Sequence, residues 1–201
     1  MRTALCLAAL LAVSGCAADA AEEAESDLTI GPFERVQGHR HLRAHLRQDG
    51  EYGVSISGRG SRAARDANVI FYDIDGREGR WLFPDSDRVI LSERDIGDSM
   101  RVRMVVYELV EEDTNGDGRF DRADARTIAV SDPEGRRLVR LAEGATRYRE
   151  TIRLDDDSVL VLFDSAGTVQ TVEVGINDLR VEAEVTMPPP PRASSKGHAG
   201  E

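Results

Sequence analysis

The chain has 201 residues, enough for one domain with a real core, and carries 37 Asp and Glu against 26 Lys and Arg, a net charge of −11. That balance excludes nucleic acid as a partner, because neutralising phosphates takes a basic surface. The two cysteines, Cys6 and Cys16, both fall within the first 16 residues, so the sequence downstream holds no thiol for a disulfide.

In chain order, Met1-Arg2 supplies a positive charge, residues 3–13 are mostly Ala and Leu, and Ser14-Gly15 precede Cys16. Charge, short apolar run and small-residue cleavage site in that order make a secretory signal. The apolar run is about half the ~20 residues a spanning helix needs. Val13-Ser14-Gly15-Cys16 resembles the lipobox of bacterial lipoproteins. The resemblance implies cleavage before Cys16, a diacylglyceryl group on its sulfur and acylation of the new amino terminus. The first partner is then the lipid bilayer, held by two or more chains at ~0.8 kcal/mol per buried methylene. Ala17 stands where the family's inner-membrane retention signal has Asp. In a source with two membranes this favours the outer membrane, facing the periplasm. The expected organisation is a lipoprotein signal (1–15), an acidic tether (16–28), a β-rich domain (29–187) and a proline-rich disordered tail (188–201).

Inside the domain, short β-branched and aromatic runs recur at residues 52–57, 69–72, 80–83, 88–91, 101–110, 127–130, 137–141, 151–154, 159–163, 169–174 and 179–185. Turn residues separate them at roughly 8–12-residue spacing, the pattern of an all-β protein. Residues 101–110 are apolar on both parities, which predicts a strand buried on both faces. Residues 142–149 come nearest to a helical pattern, weakened by Gly144. Three segments repeat a strand, an Asp-x-x-Gly turn and a second strand, beginning at Asp73, Asp132 and Asp164. The Asp is suited to cap the turn and the Gly to take a positive φ. Such units resemble outer strands of β-propeller blades, but blades need about 40–45 residues, so at most three or four fit. The expected fold is all-β: an antiparallel meander, a β-sandwich or an incomplete propeller-like arrangement, with one calcium loop between strands.

That loop is Asp113-Thr114-Asn115-Gly116-Asp117-Gly118-Arg119-Phe120-Asp121-Arg122-Ala123-Asp124, which resembles the calcium loop of EF-hand and dockerin-type proteins. Calcium takes six to eight oxygens at about 2.3–2.6 Å. The resemblance implies side-chain ligands from Asp113, Asn115 and Asp117, a bend at Gly118, the backbone carbonyl of Arg119, a ligand or water on Asp121 and closure by Asp124. Phe120 is expected to pack inward. Asp124 departs from the Glu usual in EF-hands, and the preceding segment reads as a strand. A single structural calcium site is therefore expected, against the alternative of a polar hairpin turn.

His39, His41 and His45 lie among Arg35, Arg40, Arg43 and Arg47. Neighbouring cations oppose a further one, so a solvated basic segment is favoured over a metal site. Trp81 and Phe83 are assigned to core packing before an exposed binding pair, and the run at Asp155, Asp156 and Asp157 to a turn. There is no Ser-x-Gly elbow and no glycine-rich phosphate loop. The expected function is a non-catalytic, membrane-anchored envelope protein that binds another envelope protein or a surface component. The alternative is an enzyme or accessory subunit whose site the sequence does not display.

Overall fold

The computed structural model describes residues 27–49 and 65–189. Cys16, the signal segment, most of the tether, the expected strand at 52–57 and the end of the tail lie outside them. Among the described residues there are twelve strands and no helix, which makes the fold all-β.

The strands form two antiparallel sheets. The smaller contains β1 (Asp27–Ile30), β2 (Glu34–Arg35), β3 (His41–Asp49), β4 (Arg65–Asp73) and β5 (Glu78–Trp81), with β1 and β2 both pairing with β3. The larger is an uninterrupted meander of β6 (Val89–Gly97), β7 (Val102–Val110), β8 (Arg126–Ser131), β9 (Leu138–Arg153), β10 (Ser158–Ser165), β11 (Thr168–Gly175) and β12 (Val181–Thr186). Each hydrogen bonds to its sequence neighbours, the outcome expected when short turns join consecutive strands.

From Met104 onward, burial in β7 follows the double parity of its sequence. Met104 and Val106 join one core cluster and Val105, Tyr107 and Leu109 the other. Val102, beyond a register shift, also joins the second cluster. The second cluster lies between the sheets, where Val69 and Phe71 of β4 meet β7 and Ala129 of β8. The first gathers side chains from β7 through β11 together with Ile176 and Leu179. Strands lie about 4.8 Å apart, so a flat sheet would hold β7 far from β11. The meander instead curls, and the loop after β11 reaches back across the open end. Arg103 of β7 donates to Asn177 Oδ1 at 2.6 Å, and Arg137 donates to the Asp178 carbonyl.

Asn68 fixes the smaller sheet to the segment after β5. Its Nδ2 donates to the carbonyls of Phe83 (3.0 Å) and Asp85 (2.8 Å), and its Oδ1 accepts from the Val69 (2.8 Å) and Phe83 (3.1 Å) amides. All four hydrogen-bonding positions of this buried amide are filled. Phe83 is in the core as expected, while Trp81 is 39% exposed.

Several expectations change. The runs at 137–141 and 151–154 are the two ends of one strand, β9, and the helix-like residues 142–149 form its middle. Register shifts in β8–β9 pairing near Ile128, with Gly144 at φ +74°, let so long a strand bend. Residues 41–49 are a strand, where a solvated segment was expected. Capping by Asp73 and Asp132 is as expected. Asp73 accepts from the Asp75 and Gly76 amides, and Asp132 from those of Glu134, Arg136 and Arg137. The first repeat, however, puts its positive φ on Arg77 (+56°). The third closes as a two-residue hairpin through Ala166 (+50°) and Gly167 (+76°), leaving Asp164 to pair with Arg149 at 2.7 Å.

Candidate functional site

The loop between β7 and β8 is held at both ends by ion pairs. At its entry Glu111 accepts from Arg88 (2.7 Å) and Arg140 (2.8 Å). Burial alone would raise the Glu111 carboxyl, but Arg140, the Thr127 hydroxyl and Arg88 outweigh it and hold the pKa below its ordinary value. Arg88, which also lies 4.1 Å over the Phe83 ring, carries this anchor into the core. At the exit Arg126 pairs with Glu108, itself fixed by the Ser92 hydroxyl at 3.2 Å and the Tyr148 amide at 3.0 Å.

Between the anchors the loop folds onto its own carboxylates. Asp113 Oδ1 accepts from the Gly116 (2.7 Å) and Asp117 (3.2 Å) amides, and Oδ2 from the Gly118 amide (2.7 Å). Asn115 Oδ1 accepts from the Asp117 amide at 2.8 Å, Asp117 Oδ1 from the Arg119 amide at 2.9 Å, and Asp121 Oδ1 from the Ala123 amide at 2.7 Å. Asp124, 3% exposed, closes the ring: Oδ1 accepts from the Thr114 (2.8 Å) and Asn115 (3.2 Å) amides, Oδ2 from the Asp121 amide (2.9 Å). The Asp121 hydrogen bond first, then those of Thr114 and Asn115, outweigh burial and lower the Asp124 pKa. Gly118 sits at φ +77°, a conformation that costs a side-chain-bearing residue ~1 kcal/mol or more.

Phe120 departs from expectation. It is half-buried, belongs to neither core cluster and lies under Arg65, 6.0 Å from its ring. An exposed loop offers no apolar cavity for a ring to enter.

The loop's donors are hard oxygens, which suits calcium. Asp113 Oδ2, Asn115 Oδ1, Asp117 Oδ1, Asp121 Oδ1 and Asp124 Oδ2 each accept one N–H, and an oxygen that accepts one N–H keeps a second lone pair. Among the described residues no group of three or more His, Cys, Asp or Glu side chains is placed to hold a metal ion. Filling the loop would therefore require Asp113, Asn115 and Asp117 to turn toward its centre.

The histidine segment is neither solvated nor simply basic. Arg43 reaches from β3 to β6, with Nη1 and Nη2 at 2.6 and 2.8 Å from the two Asp95 oxygens and Nη1 at 2.8 Å from Glu93. Burial opposes its charge, but Asp95 and Glu93 prevail and raise its pKa. His45 Nε2 lies 2.9 Å from Glu93 Oε2, and that hydrogen bond raises the imidazole pKa against burial. His39 and His41 belong to a different group. Both approach Glu134 of the β8–β9 turn, beside a cleft of ≈ 580 Å³ lined by His39, Arg101, Arg103, Glu134, Arg137 and Asn177. His41 also lines a smaller cavity of ≈ 210 Å³ with Phe71, Asp73 and Arg136.

No family model and no curated protein matches the chain. Among solved structures it is similar to the β-propeller domain of the Trilobed protease from Pyrococcus furiosus, at 11% identity and a TM-score of 0.41. The match covers 80% of this chain and 43% of that one, so the chain spans less than half its length.

Sequence reasoning missed Glu134 and the partition of the three histidines. The period-2 alternation of Leu42, Ala44 and Leu46 against His41, Arg43 and His45 was the available signal. It predicts a strand, and a strand separates residues whose neighbours then lie on other elements.

Proposed function

We propose that the chain is a lipid-anchored protein of the bacterial cell envelope, attached through Cys16, whose β domain is a non-catalytic binding or structural module stabilised by calcium at residues 113–124. The observation that carries the calcium reading is the ring of backbone amides on Asp113 and Asp124. It orients the first and last carboxylates of a twelve-residue loop. Asp113, Asn115, Asp117, Asp121, Asp124 and the Arg119 carbonyl are the proposed ligands, and the ion would offset the carboxylate repulsion. Anchorage through two or more acyl chains leaves the domain free of any need for apolar surface of its own. The partner class is another envelope protein or a surface component. In a source with two membranes the site of anchorage is the outer one, facing the periplasm.

Two experiments test the halves separately. Metabolic labelling with palmitate should mark the wild-type protein and place it in the membrane fraction, while Cys16→Ser should be unlabelled and released. Labelling that persists in Cys16→Ser removes the anchor. Calorimetric titration of the full chain with calcium should show one saturable site that Asp117→Ala loses. Equal heats from the two proteins remove the calcium site.

A further inference from the structure

Four turns converge on the cleft of ≈ 580 Å³ beside His39, a volume in the range of small-molecule sites. They are the β2–β3 turn with His39, the β6–β7 turn with Arg101, the β8–β9 turn with Arg137 and the β11–β12 turn with Asn177. Arg103 of β7 adds to the polar wall, while Pro133 and Ile176, both buried, supply apolar lining.

Hydrogen bonds between the turns set these walls. Gln37 Nε2 donates to the Ser99 carbonyl at 2.5 Å and the Val102 amide to the Gln37 carbonyl at 3.0 Å, joining the β2–β3 and β6–β7 turns. Arg103 Nη1 donates to the Asp156 carbonyl and Nη2 to Asn177 Oδ1, each at 2.6 Å. Arg137 Nη2 donates to the Asp178 carbonyl, which joins the β8–β9 and β11–β12 turns. The Arg101 stem packs on Gly38, where an added Cβ would come within 2.7 Å of Arg101 Cβ and Cγ. Walls fixed before binding cost less entropy when a ligand arrives.

Three carboxylates share the lining, and each is turned onto donors of its own. Asp98 Oδ1 accepts from the Met100 (2.7 Å) and Arg101 (2.9 Å) amides. Asp132 takes the Glu134, Arg136 and Arg137 amides, and Glu134 Oε2 pairs with Arg136 Nε at 3.0 Å. Arg101 and Arg137 are engaged differently. Among the described residues both meet only neutral groups, His39 and the Asp178 carbonyl. His39 Nε2 lies 2.7 Å from the Val102 carbonyl, a contact that requires the proton on that nitrogen. Arg101 Nε, 3.2 Å from the same nitrogen, therefore gains no acceptor there. The lining thus offers guanidinium donors in excess and carboxylate acceptors already in use.

We propose that the cleft binds a small organic oxyanion, a molecule bearing a carboxylate or phosphate group, through Arg101 and Arg137, with Pro133 and Ile176 against its apolar portion. A guanidinium presents a planar fork of N–H donors that matches either group bidentately. Arg103, whose contact with Asp157 Oδ1 is 3.5 Å long, places a third positive charge in the same wall. The lining carboxylates offset much of the long-range field, so recognition rests on direct hydrogen bonds to the two forks. The site depends on neither the lipid anchor nor the calcium loop.

Isothermal titration of the full chain with citrate and, separately, with pyrophosphate tests it, in calcium-free buffer at about 0.15 M chloride. At least one probe should bind at a single saturable site with a dissociation constant below about 1 mM. Citrate binding identifies a carboxylate, and pyrophosphate binding a phosphate, as the group recognised. Arg101→Gln and Arg137→Gln should each weaken binding by roughly tenfold or more, with far-ultraviolet circular dichroism confirming the fold. Should Arg137→Gln not fold, Arg101→Gln decides alone. Arg149→Gln removes an equal charge outside the cleft, where Arg149 pairs with Asp164, and should leave the affinity unchanged. Absence of saturable binding by both probes, wild-type affinity in folded Arg101→Gln, or an equal loss in Arg149→Gln overturns the proposal.

Discussion

Asp124 and Asp117 occupy one loop but should fail differently when removed. Asp124→Ala deletes the acceptor of three amides at 2.8, 3.2 and 2.9 Å and of the Thr114 hydroxyl at 3.3 Å. Buried hydrogen bonds to a charged group contribute ~1.5–3 kcal/mol each. Only a thin loop covers Asp124, however, so water reaches the freed amides and most of that sum is recovered. The expected loss is about 2 kcal/mol in chelator, and with calcium it grows by the binding increment of about 1.4 kcal/mol at ten times the dissociation constant, because Asp124 also closes the proposed site. Asp117 is exposed and accepts the Arg119 amide at 2.9 Å. Asp117→Ala should match the wild type in chelator, yet lose the calcium increment, which is about 1.4 kcal/mol at ten times the dissociation constant. Urea denaturation with calcium and with chelator reads both. At a slope of ~2 kcal/mol per molar, Asp124→Ala moves the midpoint down by about 1 M in chelator and by about 1.7 M with calcium. An undiminished calcium-induced shift in Asp117→Ala, or an Asp124→Ala defect confined to calcium-containing buffer, would refute the reasoning. The Asp124 pKa is lower folded than unfolded. Its contribution is therefore fully present above the unfolded value of ~3.9 and lost as pH falls through the folded one.

Asn68→Ala orphans two amides and two carbonyls in the core and should cost about 3 kcal/mol, measured by the same denaturation. Asn68→Asp should rescue little, because its second oxygen would face the Phe83 and Asp85 carbonyls. Gly135→Ala places a Cβ 2.6 Å from Phe71 Cδ2 at φ +62°. Left-handed strain and overpacking together predict a loss of about 2–4 kcal/mol, and a thermal midpoint unchanged from wild type would contradict the close approach. His45 has a folded pKa raised by Glu93, so its stabilisation is full below the unfolded value of ~6.5 and disappears as pH rises through the folded one. Wild-type stability relative to His45→Gln should therefore be greater at about pH 6 than at about pH 9, and a pH-independent difference would exclude the ion pair.

The all-β fold was legible because most strands from β4 onward carry an apolar run of their own and the turns between them an Asp or Gly. β7 even showed its burial on both faces, since Met104 and Val106 alternate with Val105 and Tyr107. The β9 error has a physical cause: residues 142–149 bury Ala145 and Tyr148, three positions apart, where register shifts interrupt the pairing with β10, and that spacing imitates a helical period. β3 was hidden by charge. His41, Arg43 and His45 face carboxylates of other elements, and nothing local to residues 35–47 identifies those carboxylates.

The sequence by itself determined strand content, turn chemistry, the lipobox resemblance and the contiguous spacing of the 113–124 loop. All of these are local, set by periodicity, by backbone preferences and by side chains within a dozen positions. Tertiary structure alone decided which charges meet. Curling of the meander brought Arg103 to Asn177 and Arg137 to Asp178, and the approach of the sheets set Glu93 and Asp95 against β3. It also set Glu134 beside His39 and His41, residues some 90 positions apart in the chain that only strand pairing and core burial can bring together.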